Sequence, residues 1–115
     1  MDIEALRKRL ADFAAERDWQ RFHSPKNLSM ALAAEAGELL EMFQWLDEAQ
    51  SRQLSDEERD EVALELADIL FYLLQLADRL QIDLDAAVET KLALNAGKYP
   101  VELAKGNATK YDRRR

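Results

Sequence analysis

Apolar residues recur at helical spacing along most of the chain. Ile3, Leu6, Leu10 and Phe13 follow a 3-4-3 rhythm behind Asp2, which predicts an N-capped helix running to about Arg17. Asp18 to Lys26 reads as a short connection holding Trp19, Phe22, His23 and Pro25. Ser24 before Pro25 fits an N-cap with proline at the first helical position, so a second helix is expected from about Pro25 or Asn27 to Leu46. Its residues Leu28, Leu32, Leu39, Phe43 and Leu46 share one apolar arc. After a polar connection from Asp47 to Leu54, Ser55-Asp56-Glu57-Glu58 is a capping-box signature that starts a third helix reaching Leu80. That helix is apolar nearly all round, with its polar residues Glu61, Glu65, Asp68, Tyr72, Gln75 and Arg79 in one narrow stripe. A helix apolar on so many sides is central or sits in an oligomer interface, which favours a homo-oligomer. Asp83 caps a fourth helix that ends near Lys98, before Tyr99-Pro100, with Leu84, Val88 and Leu92 as its apolar face. Lys91 and Asn95 fall on or beside that face, one turn apart. Residues 101–115 are polar, end in three arginines and read as a loosely held tail. The pattern describes an all-α, four-helix bundle-type protomer in a single domain of 1–115, assembled as a homo-oligomer.

Composition narrows the chemistry. A chain of 115 residues, 48% hydrophobic and 34% charged with only three Gly and two Pro, suits a helical globular domain. It contains no cysteine, which removes disulfides, thiolate metal sites and a cysteine nucleophile. Met1 to Leu10 carries charges and no apolar run, so no signal peptide is expected there, and no stretch approaches the roughly 20 apolar residues of a membrane span. A cytoplasmic protein that engages no membrane is the expectation. The net charge of −7 argues against a binder of nucleic-acid polymers. It leaves nucleotides open, because a metal ion reverses the local sign of a site.

The most informative stretch is Glu35-Ala36-Gly37-Glu38, with its echo Glu65-Leu66-Ala67-Asp68. Each places two acids three residues apart on one helix face. Glu35 falls inside the apolar arc of the second helix, and a carboxylate there is costly unless paired. Glu65 and Asp68 taken alone fit a solvated helix face. If both pairs aim at the bundle interior, four like charges cannot all stay ionised side by side without a cation. Hard carboxylate oxygens suit Mg²⁺, or Mn²⁺, over zinc or copper. The inward acids of di-iron bundles are a poor match, since they require Glu-x-x-His and the lone His23 has no such partner. No Gly-x-Ser-x-Gly elbow and no Walker-type loop occurs, so metal-assisted hydrolysis is the chemistry that remains.

Glu-x-x-Glu, 26 intervening residues, then Glu-x-x-Asp, on two helices of a small all-α chain, resembles the signature of the MazG-like nucleoside triphosphate pyrophosphohydrolases. The chain is most similar to their dCTP pyrophosphatase branch. The likeness extends through Phe13 to Trp19, Phe22-His23, Pro25 to Leu28, Phe43-Gln44-Trp45, Asp68 to Tyr72, Lys91, Asn95, Lys98-Tyr99-Pro100 and Lys110-Tyr111. The resemblance implies that Glu35, Glu38, Glu65 and Asp68 are catalytic and bind Mg²⁺, which holds the triphosphate of a deoxynucleotide. Water would then cut between the α and β phosphates, leaving the monophosphate and pyrophosphate. It implies further that Trp19, His23, Trp45 and Tyr72 line the base and sugar pocket, and that Lys91 and Asn95 reach the substrate. Lys110-Tyr111 either folds over the phosphates or belongs to the tail. Leu10 is a departure from a relative that has a polar pocket residue there, and this bears on base preference. The short connection from Asp47 to Ser55 leaves the pocket more open. The family forms dimers or tetramers around its acid-bearing helices.

Two classes of function follow. The first is a Mg²⁺-dependent nucleoside triphosphate pyrophosphatase that cleans the nucleotide pool, acting on dCTP or a modified dCTP, or on another base such as dUTP or a damaged purine. The second is a non-catalytic helical dimer that binds nucleotide or partner helices, its acids forming a solvated face. Aromatic stacking alone does not choose a base, because every base has a π-face.

Overall fold

The computed structural model describes residues 1–110 and 112, and among them it contains helices and turns but no strand. Two compact units divide the chain near residue 81. In the first, α1 (Ile3–Glu16), α2 (Pro25–Phe43), α3 (Glu48–Ser51) and α4 (Asp56–Arg79) follow in order, with a 3₁₀ turn at Gln20–Phe22.

Local chemistry sets these boundaries. Asp2 accepts the Ala5 N–H at 3.0 Å, and Ser24 accepts the Asn27 N–H at 3.1 Å with Pro25 at the first helical position, as the sequence predicts. Ser55 and Glu58 form a reciprocal capping box, each side chain bonded to the other's backbone N–H. Such a cap contributes about 1 kcal/mol. α1 stops in a Schellman turn. Asp18 adopts φ 55°, the Trp19 N–H donates to the Ala14 carbonyl at 2.9 Å, and the Asp18 N–H donates to Ala15 at 3.1 Å. Gln81, at φ 54°, ends α4 in the same left-handed conformation. α2 ends at Phe43 rather than Leu46, so Trp45 stands beyond its last turn. The polar connection after it holds a helix that apolar periodicity misses: α3 is four residues, too short to show a period, and a capping box between Asp47 and Gln50 fixes it.

The core of this unit lies where α2 packs along α4, with α1 laid against α4. Leu28, Leu74, Ala14 and Ala77 are its buried apolar residues. Arg7 on α1 forms an ion pair with Asp78 on α4, which ties the two helices near the end of α4. Much apolar surface stays uncovered. Leu64 and Leu66 on α4 and Leu40 on α2 are more than half exposed. An apolar cavity of about 620 Å³, lined by residues that include Leu6, Ala63, Leu66 and Phe71, opens between α1 and α4.

The second unit begins at Ile82 and holds α5 (Leu84–Lys98), capped by Asp83 through the Ala86 N–H, and α6 (Val101–Ala104). The expected tail therefore starts with a short helix. Tyr111 and Arg113 to Arg115 lie outside the described residues. Among the described residues no helix is long and apolar enough to cross a membrane.

Candidate active site

The packing of α2 on α4 brings the acids together. One carboxylate oxygen each from Glu35, Glu38 and Glu65 lies within 4.8 Å of the others. Burial grades across the cluster: Glu38 is exposed, Glu35 half-buried and Glu65 only 7% exposed. Glu35 Oε2 and Glu65 Oε1 are both buried with no hydrogen-bond partner among the described residues. Buried oxygens of this kind are costly. The electrostatics register that cost. Proton sharing with Glu35, burial, and the charges of Glu35 and Glu38 push the Glu65 carboxyl up to about 7. Among the described residues no donor relieves the crowding at the two buried oxygens, whereas a hard divalent cation would satisfy carboxylate oxygens of all three residues at once. The donor set fits Mg²⁺ or Mn²⁺.

Asp68, the fourth expected ligand, is placed differently. It lies one turn beyond Glu65 on α4, is exposed, and stands outside the 4.8 Å group. It lines a neighbouring cavity of about 300 Å³ together with Leu10, Phe13, Trp19, His23, Phe71, Tyr72 and Gln75. Asp68 therefore belongs to the edge between acids and aromatics. Tyr72 reports the same adjacency: burial, then the charges of Glu35 and Asp68, raise its phenol above the usual range, so the hydroxyl stays a proton donor.

Trp19, His23 and Tyr72 are thus gathered as the sequence suggested. Trp19 is 46% exposed and Phe22 is more open still, and Trp19 and His23 of this connection form one wall of the cavity. The Phe13 ring meets Trp19 edge-on, with centroids 5.7 Å apart, and the Arg17 guanidinium covers the Phe13 ring at 3.5 Å. His23 is half-buried, and burial followed by the charge of Arg79 lowers its pKa, which favours the neutral imidazole. Trp45 is not in this cavity; it is 85% exposed beyond α2. Lys91 is exposed and Asn95 half-buried on α5, in the second unit.

Gln75 and Phe71 also line the cavity but were not singled out from the sequence as site residues. Gln75 carried a signal, since it continues the stripe of Asp68 and Tyr72 along α4. Phe71 carried none, because one more apolar residue on an apolar helix has no mark of its own.

Fold and site together describe a small all-α protein whose paired helices hold an acidic cluster beside an aromatic cavity. Comparison with known proteins gives that class a name. The MazG-like family model matches residues 30–113, and the chain belongs to the MazG-like family. It is 46% identical over 111 residues to dCTP pyrophosphatase 1 of Rattus norvegicus and 48% identical over the same length to dCTP pyrophosphatase 1 of Bos taurus. Those alignments cover 95% of this chain but 65% and 66% of the two relatives, so the chain spans just under two thirds of their length. A solved pyrophosphatase from Archaeoglobus fulgidus superposes with a TM-score of 0.72 at 40% identity, covering 84% of this chain and 91% of that one.

Proposed function

We propose that this chain is a divalent-metal-dependent nucleoside triphosphate pyrophosphohydrolase acting on dCTP or a modified dCTP in the cytoplasmic nucleotide pool, releasing the monophosphate and pyrophosphate. The observation that carries the reading is the crowding of Glu35, Glu38 and Glu65 within 4.8 Å, with two buried oxygens that lack any donor, beside an aromatic cavity. The two mammalian relatives, both dCTP pyrophosphatases, support the same substrate.

Glu35, Glu38 and Glu65 would hold Mg²⁺ or Mn²⁺, with Asp68 as the fourth acid. When bound, the ion would supply charge neutralisation for the triphosphate and activation of the attacking water. Trp19 offers its open face to the base, backed by the edge of Phe13. His23, held neutral, presents one ring N–H and one acceptor to the nucleoside, and the Tyr72 hydroxyl donates toward sugar or phosphate oxygen. Trp45, Lys91 and Asn95 contribute a further aromatic face, a cation and an amide. The whole of 1–115 acts as one MazG-like domain, and protomers assemble as a homodimer or homotetramer. The exposed apolar residues of α4 and the open cavity beside α1 support that assembly.

Hydrolysis of another base, dUTP or a damaged purine, is the second reading. Leu10 favours it, since an apolar side chain in the cavity wall cannot select a base by hydrogen bonding. Pyrophosphate release from a panel of dNTPs, with Mg²⁺ and with chelator, separates the cases. Metal-dependent release with dCTP ahead is the expected result. A folded protein that cleaves no nucleotide is instead a binding module.

A further inference from the structure

The wall of the aromatic cavity that carries Trp19 and His23 is a connection, and its backbone is held from outside the cavity. Arg79, in the last turn of α4, donates from Nε to the His23 carbonyl and from Nη2 to the Gln20 carbonyl, both at 2.9 Å. The Asn27 side chain donates to the Phe22 carbonyl at 3.0 Å. Three carbonyls between residues 20 and 23 therefore take side-chain donors from two helices. Arg79 does not line the aromatic cavity. It lines a smaller one of about 180 Å³ with Arg7, Gln20, His23 and Asp78, where the adjacent Asp78 anchors α1 through Arg7. Charge-assisted bonds of this kind are roughly twice as strong as neutral ones, and the planar guanidinium fixes two acceptors in one geometry.

We infer that Arg79 is a positioning residue for nucleotide binding: by clamping the Gln20 and His23 carbonyls it presets Trp19 and His23 before substrate arrives. This rests on the hydrolase reading above. A wall ordered in advance spares binding the cost of ordering it. The clamp therefore acts on KM and leaves kcat alone, because Arg79 does not line the aromatic cavity and is not one of the clustered acids.

Two readouts test it in the full chain. Steady-state hydrolysis of dCTP with Mg²⁺ by Arg79→Gln should show KM raised about tenfold with kcat within about twofold, and Arg79→Lys should recover part of the KM. Without nucleotide, in a Trp45→Phe background that leaves Trp19 as the one tryptophan, Arg79→Gln should increase acrylamide quenching of Trp19. Unchanged quenching, an unchanged KM, or a fall in kcat at constant KM overturns the inference. Should Arg79→Gln fail to fold, Asn27→Ala loosens the same backbone from the other side and should raise both KM and quenching by a smaller factor; no change in either has the same overturning force. A wild type that cleaves no nucleotide defeats the hydrolase reading alone, since the quenching arm still decides whether Arg79 holds Trp19.

Discussion

The acid cluster and the aromatic cavity adjoin along α4, yet they are built in opposite ways. The cluster comes from two long helices whose packing brings an oxygen of each of three carboxylates within 4.8 Å of the others, and two carboxylate oxygens among the described residues, on Glu35 and Glu65, are buried without a hydrogen-bond partner. The cavity takes Tyr72 and Gln75 from α4 but Trp19 and His23 from a connection that Arg79 and Asn27 hold in place. Electrostatic strain is therefore concentrated in the acid half, while the aromatic half depends on tethers. Ligand charge is what the first half lacks, and prior ordering is what the second half needs. Changes in the first should alter turnover and stability together, and changes in the second should alter substrate affinity alone.

Glu65→Gln should produce the largest effect. Turnover of the preferred dNTP should fall about a thousandfold or more, because a ligand to the cation is lost. In chelator the same variant should melt higher than wild type near pH 8, since the amide donates to Glu35 where a second carboxylate repels it. Thermal melts in EDTA beside a pyrophosphate assay read both outcomes. A lower melting temperature would mark Glu65 as a structural partner. Asp68→Asn should cost less, about a hundredfold in turnover, and leave the chelated melting temperature nearly unchanged, because Asp68 is exposed and outside the crowded group.

The pH response follows with its sign. Glu65 titrates near 7 in the folded chain against about 4.5 as an unperturbed group, so the folded state holds its proton more tightly. Its contribution to stability is complete below about pH 4.5 and lost as pH rises through 7. His23 has the opposite sense: its lowered pKa gives a contribution present above 6.5 and lost as pH falls below it. Metal-free wild type should therefore lose stability between pH 6.5 and 8, Glu65→Gln should not, and Mg²⁺ should offset the loss by binding the ionised form. Melting curves across that window with and without the ion measure it.

On the cavity side the effects are smaller. Trp19→Ala should raise KM by about 10- to 100-fold, the equivalent of one base-stacking contact, with kcat little changed. Trp45→Ala should also weaken substrate binding more than it slows saturated turnover. Its melting temperature should match wild type, because Trp45 is 85% exposed.

How much of this was legible in the sequence divides along the same line. Glu35 announced itself as a charge on an apolar arc, and the 3.6-residue period carried Glu38 and Glu65 to the same cluster. The capping residues Asp2, Ser24, Ser55 and Asp83 marked their helix starts for equally local reasons. What periodicity could not give was any feature set by a few residues or by distant partners. The capping box of α3 lay in a stretch with no apolar rhythm, and the left-handed Asp18 that turns the chain into Trp19 has no glycine to flag it. The clamp from Arg79 spans more than fifty residues and ends on backbone carbonyls, which no sequence pattern encodes. Asp68 shows the limit inside a legible motif: spacing put it on the face of Glu65, but one turn of helix moved it from the cluster to the cavity edge.

Mn²⁺ titration followed by electron paramagnetic resonance, on wild type, Glu35→Gln, Glu65→Gln and Trp19→Ala, tests the acid cluster most directly. Wild type and Trp19→Ala should bind the ion with equal affinity, and each glutamate variant should lose at least tenfold. Equal binding by all four proteins, or by none, would contradict the assignment of these acids as a metal site.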